Sequence, residues 1–219
     1  MGFANRDEAG RRVAAKLAHH KGEDVVVFAL PRGGVPVAAP IASALEAPLD
    51  LVLVRKLGTP IQPELAMGAI ADVGGPVIVR NEDVIAMARV GKAEFDAACQ
   101  RELLEIERRR RLYLGSRPHQ EARGRVAIVV DDGIATGATT RAALQAIRAR
   151  RPKWLVLATP IAPPEALELL REEVDETVCL EVHSKFGAIG YFYRDFHQLS
   201  DDEVIAILDR FGTGGAKGT

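Results

Sequence analysis

The chain has 219 residues, 47% of them apolar and 27% charged, enough to bury one sizeable core and near the upper end of what a single α/β domain uses. Twenty-nine Lys and Arg against 30 Asp and Glu leave a formal net charge of −1, which excludes a global field that would draw the protein to nucleic acid or to an anionic membrane. Two cysteines, Cys99 and Cys179, fit neither a metal-ligand spacing nor a disulfide framework, and their apolar settings point to buried thiols in a reducing, cytoplasmic compartment.

Residues 6–19 have helical periodicity and carry Arg11, Arg12 and Lys16 among small apolar residues, without the continuous apolar run of a signal peptide; no later stretch reaches membrane-spanning length. A β-branched run at 24–30 ends in Pro31-Arg32-Gly33-Gly34, and a helix is predicted from 35 to 45. The second apolar strand, 49–54, leads into Arg55-Lys56-Leu57-Gly58-Thr59-Pro60, read as a loop. From 58 to about 124 the rhythm breaks. This segment holds a Gly/Pro-rich stretch, a hairpin across Val73-Gly74-Gly75-Pro76, a short strand at 77–79 and a long charged helix from 92 to about 113, and it reads as an inserted hood on a domain that runs from 1 to 211. Beyond it, strands at 125–130, 154–158 and 177–180 alternate with helices at 139–150, 165–172 and 201–210. The glycine-rich tail, 212–219, is expected to be flexible.

Continuous apolar strands alternating with amphipathic helices predict an α/β fold, a mainly parallel sheet with helices on both faces. In such sheets ligands bind at the carboxyl ends of the strands, so the loops after those ends carry the function.

The most informative of them follows the strand Val126-Ala127-Ile128-Val129-Val130, which ends in Asp131 and Asp132 and then Gly133-Ile134-Ala135-Thr136-Gly137-Ala138-Thr139-Thr140. The loop leads straight into a helix, so free backbone N–H groups and the positive end of the helix dipole converge there and suit a phosphate. Thr136, Thr139 and Thr140 add hydroxyl donors, while Gly133 and Gly137 permit close approaches. Carboxylates accept hydrogen bonds from vicinal hydroxyls and repel phosphate, so the two halves together match a sugar phosphate such as ribose 5-phosphate. Helix capping alone needs only one Asp and leaves the second unexplained.

This run closely resembles the phosphoribosyl pyrophosphate signature of the type I phosphoribosyltransferases, and two further segments agree in order. Leu30-Pro31-Arg32-Gly33-Gly34 is similar to the family's pyrophosphate loop, and Val54-Arg55-Lys56 to the basic pair after its second strand. The resemblance is good over 24–60 and 125–200 and thin between, and it is nearest to the uncharacterised bacterial members. It implies a three-layer fold and a glycosyltransferase of nucleotide metabolism that moves the phosphoribosyl group to a nucleobase-like, heteroaromatic acceptor and releases pyrophosphate. Carried over by position, it implies that Asp131 and Asp132 hold the ribose hydroxyls, that Ala135, Thr136, Gly137, Ala138 and Thr139 wrap the 5-phosphate with Gly133 in the same substrate-binding loop, and that Arg32, Gly33 and Lys56 hold pyrophosphate. Mg is the implied cofactor, bound chiefly by the ligand's own oxygens without a dedicated protein cage. A non-proline cis peptide between Pro31 and Arg32 is also implied. The other reading is a regulator that senses phosphoribosyl pyrophosphate and does no chemistry.

Ala135 stands where the hypoxanthine-guanine branch has an Asp near the purine, so a general acid or base must come from elsewhere. Glu64 is the first candidate by position and Asp195 the second, the alternative for Glu64 being a first-turn helix carboxylate behind Pro63. Leu57 to about Met67 is expected to be a mobile loop that closes over ligand. Within 184–196, Phe186 weakly resembles the ring that stacks on the base, whereas Tyr191, Phe192 and Phe196 are expected to pack the last helix onto the sheet. The run Arg108-Arg109-Arg110-Arg111 reads as a solvated face paired with Glu102, Glu105 and Glu107, which argues against a nucleic-acid partner, and Phe95, Cys99, Leu103 and Ile106 form that helix's inward stripe. The five histidines show no metal-ligand spacing in sequence, and oligomeric state, a homo-oligomer included, is left open.

Overall fold

A computed structural model describes residues 2–184 and 187–211. In chain order the elements are α1 (Arg6–Lys16), β1 (Val25–Ala29), α2 (Gly34–Leu45), β2 (Leu49–Leu51), β3 (Leu53–Gly58), β4 (Ala66–Asp72), β5 (Pro76–Arg80), α3 (Glu82–Met87) and α4 (Lys92–Leu114). There follow β6 (Val126–Val130), α5 (Ala138–Ala149), β7 (Trp154–Ala162), α6 (Pro164–Arg171), β8 (Glu176–Val182) and α7 (Asp201–Asp209).

Five strands form a parallel sheet in the order β2-β1-β6-β7-β8. Its two faces are set by the two-residue period of the strands. Val25, Val27, Val126, Ile128 and Val130 face a core built with α1, α2, α4 and α7, whereas Val26, Phe28, Ala127 and Val129 face one built with α5 and α6. Both faces are covered, which is why these strands read as unbroken apolar runs, and each large side chain so buried contributes about 1.5–3 kcal/mol. The result is the predicted three-layer arrangement. Helices α1 and α2 pack closely at Gly10, where a Cβ would stand 2.4 Å from the Val37 carbonyl oxygen and 2.7 Å from Pro40 Cγ. The order reverses between β1 and β6, so the crevice at their carboxyl ends is the switch point where ligands bind in such sheets.

The hood differs in detail from its sequence reading. The run 49–54 is not one strand: β2 ends at Leu51, and β3 starts a separate antiparallel sheet, β3-β4-β5, at Leu53. Arg55, Lys56, Leu57 and Gly58, expected in a loop, lie on β3, and Ala66 and Met67 lie on β4. The connection left between them is tied by Thr59, whose amide donates to the Leu65 carbonyl (2.9 Å) and whose hydroxyl donates to the Gln62 carbonyl (2.8 Å). Gly58 allows that tight turn, since a Cβ there would meet the Pro63 carbonyl oxygen at 2.2 Å. The predicted hairpin does join β4 to β5, with Gly74 and Gly75 at positive φ. Helix α3, unpredicted, is capped by Asn81, whose side-chain oxygen accepts from the Val84 amide at 3.3 Å. On α4 the stripe of Phe95, Cys99 and Ile106 is buried with Leu103 packed beside it, and Arg108, Arg109 and Arg111 pair with Glu105 or Glu107 at 2.8 Å. Arg110 breaks this pattern by turning inward.

It turns toward a polar cluster that fastens hood to core. His119 stands between Asp50 of β2 and Asp72 of β4, at 3.4 Å from each, and Arg110 Nε lies 2.6 Å from His119 Nε2. The contact to Arg110 suits a neutral ring, but hydrogen bonds to the two carboxylates outweigh it and raise the His119 pKa to about 9. Asp50 also accepts from the amides of Leu51 and Gln120, and Asp72 from that of Gly75.

Candidate active site

Two loops meet at the switch point. After β1, the peptide between Pro31 and Arg32 is cis, and Gly33 and Gly34 follow directly into α2. After β6 come Asp131 and Asp132, then the loop to Gly137, which takes φ +79° as the residue before α5. Neither glycine of the first loop has room for a side chain: a Cβ on Gly33 would stand 2.0 Å from Asp132 Oδ2, and one on Gly34 2.6 Å from the Val130 carbonyl oxygen. Gly133 is likewise closed by Ile189, at 2.5 Å.

The two carboxylates differ. Asp132 is buried, and its Oδ2 accepts from Arg6 Nε of α1 at 2.7 Å. Arg6 also donates to the His197 carbonyl at 3.0 Å and lies 3.8 Å over the Phe196 ring. The Asp132 carbonyl accepts from the Tyr193 hydroxyl at 2.5 Å, and burial raises the pKa of that phenol. Asp131 accepts from the Asp132 amide (2.9 Å) and the Thr140 hydroxyl (3.3 Å), and it lines the cleft without a cationic partner among the described residues. Burial pushes its carboxyl well above the usual range, and the Asp132 charge adds to the effect; burial raises Asp132 too, with Arg6 opposing.

The cleft encloses about 240 Å³ between Pro31, Asp131, Asp132, Gly133 and Thr139 on the core side and Val54, Arg55, Ile106 and Arg109 on the hood side. A second pocket of about 630 Å³ adjoins it across Val54 and Thr139 and is lined by Lys56, Arg80, Ala138 and Thr139. Neighbouring residues of a strand point to opposite faces, and accordingly Arg55 lines the first pocket and Lys56 the second. Ala135, Thr136, Ala138 and Thr139 are exposed at the start of α5, whose first amides have no intrahelical acceptor, while the buried Ile134 anchors the loop through its amide to the Ile161 carbonyl at 2.9 Å.

Arg32, Glu64 and Asp195 do not line the cleft. Arg32 lies 3.8 Å from Asp201, which also accepts from the Tyr113 hydroxyl at 2.5 Å. Glu64 is 93% exposed on a turn and not in a helix, with Lys56 Nζ 3.1 Å away. Asp195 is held by His197 at 3.0 Å on the far side of Arg6. Phe186 lies outside the described residues. The other aromatics do not fix the last helix as expected. Tyr193, Phe192 and Phe196 gather on Phe3 and Ala9 from the amino terminus, and Tyr191 is 83% exposed. The sequence reading assigns no site role to Arg6, Arg55 or Arg109, although Arg55 belongs to the basic pair noted there. A strand reading of 53–58 would have separated Arg55 from Lys56, but Arg6 is 126 residues from Asp132 and carries no local signal.

A profile of the phosphoribosyl transferase domain matches residues 4–196, most of the chain and both loops of the switch point. The chain belongs to this family. A crystal structure of TT1426 from Thermus thermophilus is 38% identical, superposes with a TM-score of 0.84, and covers 97% of this chain and 100% of that one. A provisionally named phosphoribosyl transferase of Mycobacterium tuberculosis H37Rv is 48% identical over 208 residues, 95% of this chain and 46% of its own length. The chain therefore spans about half the length of that curated relative. The bifunctional protein PyrR of Clostridium acetobutylicum is 28% identical over 162 residues, 71% of this chain and 70% of its own. Among the described residues of this phosphoribosyl transferase domain, no helix is long and apolar enough to cross a membrane.

Proposed function

We propose that the domain binds phosphoribosyl pyrophosphate with Mg and transfers the phosphoribosyl group to a ring nitrogen of a small heteroaromatic, nucleobase-like acceptor. The observation that carries this reading is the convergence of a carboxylate pair and the exposed amino terminus of α5 on the sheet's switch point. In this proposal the amides of 135–139 and the hydroxyls of Thr136 and Thr139 hold the 5-phosphate. Asp131 accepts from a ribose hydroxyl, and Asp132 offers the oxygen that Arg6 does not engage.

Pyrophosphate is assigned to Arg32, Gly33 and Lys56, to which the placement of Arg55 in the cleft adds a further cation. Asp131 is a hard oxygen donor of the kind Mg accepts beside substrate phosphates, and the ion supplies charge neutralisation of the leaving group when bound. The protein's own part is positioning and exclusion of water from a sugar centre that gains positive charge. Phe186 is the stacking candidate for the acceptor, and Glu64 and Asp195 are the proton-transfer candidates.

The second reading, a sensor of phosphoribosyl pyrophosphate, is favoured by one observation: neither Glu64 nor Asp195 lines the cleft. Screening nucleobases for pyrophosphate release with phosphoribosyl pyrophosphate and Mg separates the two. Release with at least one base, lost in D131N, is expected of the enzyme. Binding without release for every base would leave the sensor, and absence of binding would overturn both.

A further inference from the structure

A second cluster lies at the opposite end of the sheet, among the amino ends of the parallel strands. His19 and His20 sit on the short 3₁₀ turn Ala18–His20 that follows α1, and Glu176 is the first residue of β8. His19 Nε2 is 3.1 Å from Glu176 Oε1 and His20 Nε2 is 3.0 Å from Glu176 Oε2; one ligand atom from each residue lies within 4.8 Å of the others. Two ligands each about 2.0–2.1 Å from a tetrahedral zinc lie roughly 3.3 Å apart, so both His–Glu spacings are those of neighbours in one coordination shell.

The surroundings point the same way. His20 is 5% exposed, and its other nitrogen, Nδ1, faces Glu23 Oε1 at 3.3 Å. A proton held there leaves the Nε2 lone pair directed at Glu176. Glu176 Oε2 is itself approached by the Trp154 indole N–H at 3.4 Å. A carboxylate behind a ligating His and a donor behind a ligating carboxylate are the outer partners that orient metal ligands and fix their tautomers. His19, with its side chain 55% exposed, leaves an entry from solvent and room for water to complete the shell.

We infer that His19, His20 and Glu176 form a site for a divalent transition ion of the zinc class, separate from the cleft. Two imidazole nitrogens and one carboxylate favour Zn, Co, Ni or Cu over Mg or Ca. The bound ion links the end of α1 to the start of β8. Its ligands must be deprotonated, so binding releases protons and weakens in acid.

The test is titration of zinc chloride, and separately of cobalt chloride as an optical probe, into the metal-stripped full chain. One ion per chain is expected, with visible cobalt bands, a rise in Tm and affinity weaker in H19A and E176Q by at least the roughly 10–100-fold that loss of an outer partner of a ligand costs. H197A, which removes the exposed imidazole between Asp195 and Glu203, should leave affinity unchanged. H19A and E176Q alter partly exposed side chains and spare the buried His20 ring; circular dichroism verifies their folding. Binding weaker than about 1 mM, or equal affinity in H19A, E176Q and the unaltered chain, would overturn the site and leave the contacts as imidazolium–carboxylate hydrogen bonds.

Discussion

The two walls of the cleft are built differently. The core wall, the loops after β1 and β6, has glycines with no space for a Cβ, and its Asp132 is clamped by a buried guanidinium. The hood wall presents Arg55 and Arg109, which are held by partly exposed carboxylates, Glu102 at 2.7 Å and Glu105 at 2.8 Å. Solvated ion pairs are worth little, whereas an interior ion pair that loses one member leaves an uncompensated charge. The contrast teaches that one wall is fixed by packing and the other can exchange its carboxylate partners for an anion. The volume between them is about 240 Å³, and it continues across Val54 and Thr139 into the second pocket of about 630 Å³.

The sharpest way to break the contrast is R6A. Leaving Asp132 buried without its cation should cost about 3–5 kcal/mol in urea unfolding, and R55A, on the hood wall, less than about 1 kcal/mol. Equal losses would erase the difference between the walls. A double variant, R6A with D132N, should recover part of the loss, because the charge that Arg6 compensates is then gone.

G33A probes the same wall by crowding. Its methyl group would meet the Asp132 carboxylate at 2.0 Å, and the displacement should cost about 1–3 kcal/mol. A stability unchanged from the parent would mean that the loop has slack.

The last effect depends on pH and concerns the latch between hood and core. The folded-state pKa of His119 is raised to about 9. Its contribution is therefore fully present below the unfolded pKa of about 6.5 and is lost as pH rises through about 9. The groups facing the ring are Asp50, Asp72 and Arg110. Unfolding free energy should fall by at most about 1.4 kcal/mol per pH unit across that window, and H119Q should flatten the slope. An identical slope in H119Q would place the titration elsewhere.

Much of the core wall was legible in the sequence, because a strand covered on both faces must be apolar throughout and the loop from Asp131 leads directly into α5. The runs at 24–30 and 125–130 and the loop from Asp131 to Thr140 needed nothing from elsewhere in the chain. The hood was harder. Its sheet starts at Leu53, inside an apolar run that reads as continuous with β2, and there the chain passes from the parallel sheet to the antiparallel one. What stayed hidden were pairings between distant positions: Arg6 with Asp132, Phe3 with Tyr193, and His20 with Glu176. Only the fold brings these together, and neither periodicity nor spacing along the chain marks them.

Calorimetric titration of phosphoribosyl pyrophosphate with Mg into the unaltered domain and into D131N tests the central claim most directly. Asp131 is the better position because Asp132 also serves Arg6, so its loss would mix binding with stability. Removing a hydrogen bond to a charged group costs about 1.5–3 kcal/mol, so the site assignment predicts affinity about 10–100-fold weaker in D131N with the fold intact. Affinity within about twofold of the unaltered domain, less than about 0.5 kcal/mol, would contradict it.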